Sequence, residues 1–346
     1  MPSKAKSRRR KRAGTRSFKR YLPILGVVVL FIAVALFGWW MDERDAKPEP
    51  TGDYHLRDGF VEVFQTGGRE YRLRKDLTTF LLMGIDRESD EDEGLLNRDG
   101  GQADFLRLLV LDDANERITQ IEIDRDTMTP ITILGVMGNK TGVRTAQISL
   151  SHGFGDGGAE SAELTVEAVS NLFYGIEIDG YAAMNMSGIN VLNDAVDGIE
   201  VTIEDDFSEF DPEMVPGATL TLKGKQAELF VRSRMAIGVG TNEARMARQQ
   251  TYIGALGNKV ADRIRADKSW VGELFDDLSP YLVTNIGRGR IINEAWQCRD
   301  YERPDVVKVA GEHRIGSDGF MQYEVDQGKL EQLVLDCFYE EVIEQG

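Results

Sequence analysis

Four arginines crowd into 17 positions of an otherwise acidic chain: Arg232, Arg234, Arg245 and Arg248, followed by Gln249 and Gln250. A guanidinium is always charged, and its planar fork of donors matches phosphate oxygens two at a time. In a helix over 242–262, Arg245 and Gln249 are four apart, as are Arg248 and Tyr252, so each pair shares a face. In an extended segment Arg232 and Arg234 alternate with Val231 and Ser233 and point to one side. Two converging arms of arginine would make a pocket for a diphosphate or other polyanion. The same spacing also describes a solvated helix face bridged to the many carboxylates, and spacing alone does not choose between them.

Carboxylates supply the other half of such chemistry. Asp86 ends the apolar run TTFLLMGID (78–86), Asp104 precedes FLRLLVLDD (105–113), and Asp126 follows Arg125 at the end of RITQIEIDRD (117–126). All three runs are rich in strand formers, and Ala114-Asn115-Glu116 reads as a hairpin-like turn between the last two. Ligand and catalytic residues gather at strand ends, where loops lie over a rigid sheet. Asp86 and Asp104 are expected to face each other at neighbouring strand ends, close enough to share one Mg²⁺, which prefers oxygen ligands and bridges to phosphates. Each aspartate alone also fits a simple turn cap. Asp86, Asp104 and Arg125, taken with the arginine cluster, form a set suited to phosphoryl transfer.

The elements that must position these groups alternate between strand and helix, which predicts α/β layers. GAESAELTVEAVSNLFYG (158–175) has helical periodicity, with Leu164, Ala168 and Leu172 on one stripe and Gly175 as its stop. YAAMNM reads as a strand, SGINVLNDAVDG as a helix and IEVTIEDD as a strand. A helix near 224–233 then precedes the arginine helix. FMQYEVD reads as a strand and DQGKLEQLVLDCFYEEVIE as a final amphipathic helix. His152 lies in SHGFGDGG, where a turn residue is expected. His55, His152 and His313 are the only histidines, so a multi-histidine metal site is not expected. No CxxC occurs, and Cys298 and Cys337 read equally well as a disulfide pair or as two small apolar residues.

Residues 1–20 hold ten Lys or Arg and no acid, and residues 21–40 carry no charge. Twenty apolar residues at about 1.5 Å each cover the roughly 30 Å core of a bilayer, and Trp39 and Trp40 close the run where aromatics favour the interface. The run exceeds a signal-peptide core and lacks a small-residue cleavage site. The pattern predicts a basic cytoplasmic tail (1–20), a transmembrane signal anchor (21–40), a polar linker and lead-in (41–75), and an extracytoplasmic domain (76–346). Residues 41–346 keep 31 of the 41 basic residues and all 58 acids, a formal charge of −27. Nucleic acid is excluded as a partner of so negative a domain.

In this order the motifs resemble the LytR-CpsA-Psr family of bacterial cell-envelope proteins. Gly84-Ile85-Asp86 matches the family's Gly-x-Asp strand end. Asp124-Arg125-Asp126-Thr127 matches its Arg-Asp-Thr. Arg232-Ser233-Arg234 and Arg245-Met246-Ala247-Arg248-Gln249-Gln250 match its last two motifs. The motif-bearing core is 76–262. Two departures stand out: Gln102-Ala103-Asp104-Phe105 keeps the aspartate of Arg-Ser-Asp-Thr without its arginine or hydroxyls, and Asn242 replaces the acid expected three residues before Arg245.

The resemblance implies a central mixed β-sheet flanked by helices, with a greasy groove for a prenyl chain. It implies transfer of an anionic glycopolymer from a polyprenyl-pyrophosphate carrier to peptidoglycan, beside the cytoplasmic membrane. Arg125, Arg232, Arg234, Arg245, Arg248 and Gln249 would hold the pyrophosphate. Asp86 and Asp104 would hold Mg²⁺. Asp104, Arg125 and Asp126 would be catalytic, with Asp104 or Asp126 taking the proton of the attacking hydroxyl. Two other readings compete: a non-catalytic protein that binds polyprenyl phosphate or glycan, motivated by Gln102, and a membrane-bound regulator. Turnover of a polyprenyl-pyrophosphate substrate separates the first of these from an enzyme.

Overall fold

The computed structural model describes residues 53–57, 60–87, 100–232 and 242–342. The basic tail, the apolar run 21–40, the acidic stretch 88–93 and Arg234 lie outside them. Among the described residues no helix is long and apolar enough to cross a membrane.

Strands β1 (Asp53–Arg57), β2 (Phe60–Thr66) and β3 (Arg69–Leu73) form an antiparallel meander. Gly67 and Gly68, at φ +59° and +76°, turn β2 into β3. Composition places this stretch in the linker and lead-in. The structure makes it sheet, because its fourth strand arrives from the far end of the chain.

Next come β4 (Leu77–Asp86), β5 (Gln102–Asp112) and β6 (Arg117–Ile123), then the hairpin β7 (Met128–Leu134) and β8 (Lys140–Gln147). Helices α1 (Leu150–Gly153) and α2 (Ala159–Leu172) lead to β9 (Gly180–Asn185) and α3 (Gly188–Ala195). A small hairpin, β10 (Ile199–Thr202) and β11 (Thr219–Leu222), precedes α4 (Lys225–Arg232), α5 (Asn242–Ala266) and α6 (Lys268–Leu278). The chain closes with β12 (Leu282–Thr284), α7 (Arg288–Gln297), β13 (Val307–Lys308), the hairpin β14 (Gly311–Ile315) and β15 (Met321–Val325), α8 (Gln327–Phe338) and β16 (Tyr339–Glu341).

The central sheet is mixed, in the order β12-β9-β4-β5-β6-β13. β4, β5 and β6 are antiparallel neighbours, while β4–β9 and β13–β6 are parallel. Both faces of β4 are buried, which explains its near-continuous apolar run. Leu81, Met83 and Ile85 belong to the main core with Ala168 and Leu172 of α2 and Leu330 and Val334 of α8. Phe80 faces the other way, onto Leu111, Ile286 and Cys298. A second core gathers Ile199, Phe207, Leu222, Phe230 and Tyr252 around the β10–β11 hairpin, α4 and α5.

Three sequence expectations change. The final helix stops at Phe338, where Tyr339 turns extended and pairs with Leu73 of β3. IEVTIEDD forms a strand only over Ile199–Thr202, and it joins a separate two-stranded hairpin rather than the central sheet. His152 is no surface turn residue: it sits in α1, buried, with Nδ1 2.7 Å from the Gly100 carbonyl oxygen. Cys298 and Cys337 are both free thiols.

Candidate functional site

A β-bulge shapes the working end of the sheet. Gly84 pairs with Phe105 and Ile85 with Ala103, so Asp104 is the extra residue opposite their junction. Ala103 faces the main core before the bulge, and Leu106, Leu108 and Val110 face it afterwards. The strand has thus changed parity, turning Asp104 and Phe105 together to the other face. Bulges re-aim side chains in this way. Gly84 is the complement of that turn, since a Cβ there would lie 3.0 Å from Phe105 Cβ. The glycine of Gly84-x-Asp86 therefore makes room for the bulged partner. Asp86 is in register with Gln102, and directly opposed residues share a face. Asp86, Gln102 and Asp104 accordingly arise from one sheet end on one face. Two carboxylates there are the hard oxygen donors that suit Mg²⁺.

Arg125 reaches this group from the turn after β6. Its Nη1 donates to Asp104 in a short ion pair, its Nη2 donates to Gln102 Oε1 at 2.8 Å, and its Nε lies 3.6 Å from Asp126 Oδ1. Gln102, where the resemblance expects an arginine, thus acts as an acceptor for Arg125. The Arg125 side chain keeps 27% exposure, and its Gln102 contact lies on the exposed side. Asp126 also accepts from Gln147 Nε2 at 3.0 Å. Burial pushes the Asp126 carboxyl above the usual carboxylate range and Asp124 adds to this, while Arg125, His313 and Gln147 pull the other way. Burial lowers the His152 imidazole, against the pull of the Gly100 and Gly101 carbonyls.

The arginine cluster divides. Arg248 is buried, with its Nη1 in a short ion pair to Asp205 and its guanidinium 5.4 Å above the Phe207 ring. Its charge is held at the second core, whereas a pyrophosphate contact calls for an open fork. Arg232 closes α4, and Arg245 and Gln249 lie in the first half of α5. Their side chains, like Arg234 as a whole, lie outside the described residues.

The sequence matches the LytR_cpsA_psr family over residues 54–336. The chain belongs to that family. A polyisoprenyl-teichoic acid–peptidoglycan teichoic acid transferase TagU from Bacillus cereus strain AH820 is 23% identical over 261 residues, covering 75% of this chain and 78% of the relative. Two solved structures share the fold. Protein gbs0355 from Streptococcus agalactiae superimposes with a TM-score of 0.57 at 23% identity, covering 75% of this chain and 88% of its own. TagT bound to LI-WTA does so with a TM-score of 0.54 at 18% identity, covering 76% and 90%.

Two residues of this family member escape motif reading. Arg87 directly follows Asp86, and its guanidinium lies against Gly157, where a Cβ would collide with Nη1. Gly157 and Gly101, both at positive φ, leave the space it occupies. The adjacency to Asp86 was the available signal. The other is His313, on β14, whose Nε2 lies 3.2 Å from Asp124 Oδ2. Nothing near His313 in sequence points to Asp124.

Proposed function

We propose that this domain is a transferase that moves an anionic glycopolymer from a polyprenyl-pyrophosphate carrier to peptidoglycan. Family membership and the name carried by the TagU relative support the reaction class. The observation that carries it to this chain's residues is Arg125, held half-open between Gln102, Asp104 and Asp126 at the bulged end of the sheet. The apolar run 21–40, behind its basic flank, anchors the domain on the outer side of the membrane that holds the lipid carrier.

In the proposed reaction a peptidoglycan hydroxyl oxygen attacks the phosphorus that bears the glycopolymer. The bond from that phosphorus to the prenyl-phosphate oxygen breaks, prenyl monophosphate leaves, and a phosphodiester joins polymer to acceptor. Arg125 exchanges its contacts with Gln102 and Asp104 for pyrophosphate oxygens, aided by Arg232, Arg234, Arg245 and Gln249, the residues that the family motifs assign to the same task. The hydroxyl proton passes to Asp104 or Asp126, the carboxylates beside Arg125. Asp86 and Asp104 are the residues that would hold Mg²⁺, which supplies charge stabilisation for the leaving phosphate.

The test uses the purified chain in detergent with a polyprenyl-pyrophosphate-linked oligosaccharide, peptidoglycan and Mg²⁺. Release of prenyl monophosphate with matching phosphodiester product is expected, and it stops without a divalent ion. Tight binding of the lipid with no turnover would replace the transferase by the non-catalytic binding protein. Turnover that survives removal of all divalent ions would eliminate the metal role of Asp86 and Asp104.

A further inference from the structure

The hairpin β14–β15 lies beyond the motif-bearing core, yet it is stitched onto the loop that carries Arg125. The Tyr323 N–H donates to the Asp126 carbonyl at 2.8 Å, Thr127 bridges Tyr323, and Gln147 Nε2 donates to the Met321 carbonyl at 2.6 Å. This docking brings His313 to Asp124 and Asp126. One ligand atom from each of the three lies within 4.8 Å of the others. Asp124 Oδ2 and His313 Nε2 are 3.2 Å apart, the separation of two ligands that share one ion at bonds of about 2.1 Å.

We propose that Asp124, Asp126 and His313 bind a divalent transition-metal ion of the Zn²⁺, Mn²⁺ or Co²⁺ class, which clasps the C-terminal hairpin to the Arg125 loop. Both carboxylates are oriented by a second hydrogen-bond partner, as metal ligands generally are. The Asp126 N–H donates to Asp124 Oδ1 at 2.9 Å, leaving Oδ2 toward His313. Gln147 holds Asp126 Oδ1, and the Tyr323 ring packs edge-on to His313 at 4.8 Å. Arg125 sends its terminal nitrogens to Asp104 and Gln102, and only its Nε nears the trio, 3.6 Å from Asp126 Oδ1, the oxygen that Gln147 also holds. An imidazole with two carboxylates suits a borderline ion, whereas Mg²⁺ takes all-oxygen sites. The site is therefore chemically distinct from the Asp86–Asp104 pair; it shares Asp126 with the proposed reaction, and an ion there leaves Asp104 to take the hydroxyl proton. The competing account is a plain His313–Asp124 ion pair, which binds no metal.

The metal-free full-length chain in detergent is titrated with Co²⁺ in the presence of excess Mg²⁺, and bound Co²⁺ is read by its visible absorption. Mn²⁺ in the same chain is read by pulsed electron paramagnetic resonance for nitrogen coupling. One bound ion with an imidazole nitrogen is expected. His313→Gln, on an exposed hairpin, should weaken it by at least about tenfold and abolish the nitrogen coupling. The double variant Asp86→Asn/Asp104→Asn should leave both signals in place. In the wild type Zn²⁺ should also slow hydrogen exchange at the Tyr323 amide. The proposal is overturned if wild type binds no Co²⁺ under excess Mg²⁺, if His313→Gln binds it unchanged, or if the signal disappears with Asp86 and Asp104 instead.

Discussion

Arg125 and Arg248 sit in regions that treat the same side chain differently. At the end of the central sheet, Arg125 is 27% exposed and divided among Asp104, Gln102 and Asp126. In α5, Arg248 is 8% exposed, fixed on Asp205 and covered by Phe207. A guanidinium with several acceptors and partial exposure exchanges partners at little cost, which suits the ligand role proposed for Arg125. A buried guanidinium paired with a carboxylate beside an aromatic ring cannot leave without stranding charge in the core. Exposure thus separates the arginine proposed to meet a ligand from the one held in the core, although both stand in motifs of the same family.

The comparison breaks most visibly at Arg248. Arg248→Ala should destabilise the domain by about 3–5 kcal/mol, because the largely covered Asp205 is left without its cation. Thermal unfolding measures this, and an unchanged midpoint would return Arg248 to the ligand set. Arg125→Ala should cost less stability than Arg248→Ala while lowering transfer about ten- to a hundredfold, from the loss of one charge-assisted contact of about 1.5–3 kcal/mol. Arg232→Ala and Arg245→Ala should behave like Arg125→Ala. If either unfolds the protein instead, it belongs with Arg248.

A third region sharpens the contrast through pH. The Arg74 guanidinium donates to Asp112 at 2.6 Å and holds that carboxyl down at about 2. A carboxylate depressed in the folded state adds stability above its unfolded value near 4, and this is lost as pH falls toward 2. Asp112→Asn should therefore cost on the order of 1–2 kcal/mol at neutral pH and make unfolding less steep between about pH 4 and 2. Equilibrium denaturation across that window reads both. The smallest effect belongs to Arg263, which shares α5 with Arg248 and also pairs with an aspartate, Asp197. At 42% and 80% exposure for the two side chains, Arg263→Ala should change stability by less than about 1 kcal/mol. A loss matching that of Arg248→Ala would show that burial is not the deciding variable.

The strands of the site are legible in the sequence because they are local. The runs ending at Asp86 and opening at Asp104 carry their own apolar pattern, and β4 and β5 form where that pattern places them. The bulge at Asp104 is not legible, since parity changes only when β5 is laid against β4. Gly84 hints at it, but its purpose appears only with Phe105 opposite. Arg245 and Arg248 look alike in a helix, and what turns Arg248 inward is Asp205 and Phe207 from another segment. His313 escapes for the same reason, being brought to Asp124 by a hairpin docking on a distant loop. The two ends of the domain escape because β16 pairs with β3, a partnership no window of sequence contains.

That last pairing closes the domain on itself. Asp53 is opposite Gln65, Glu70 is opposite Gln65 from the other side, and the Val342 N–H donates to the Glu70 carbonyl. The first and last described strands thus begin and end in one row of a four-stranded sheet, about 14 Å apart at roughly 4.8 Å per strand. A loop of a handful of residues would span that gap, so the fold is topologically near a ring. Its linear order can be rotated, with residue 342 joined to residue 53 and new termini opened in an exposed hairpin, without unpicking the central sheet.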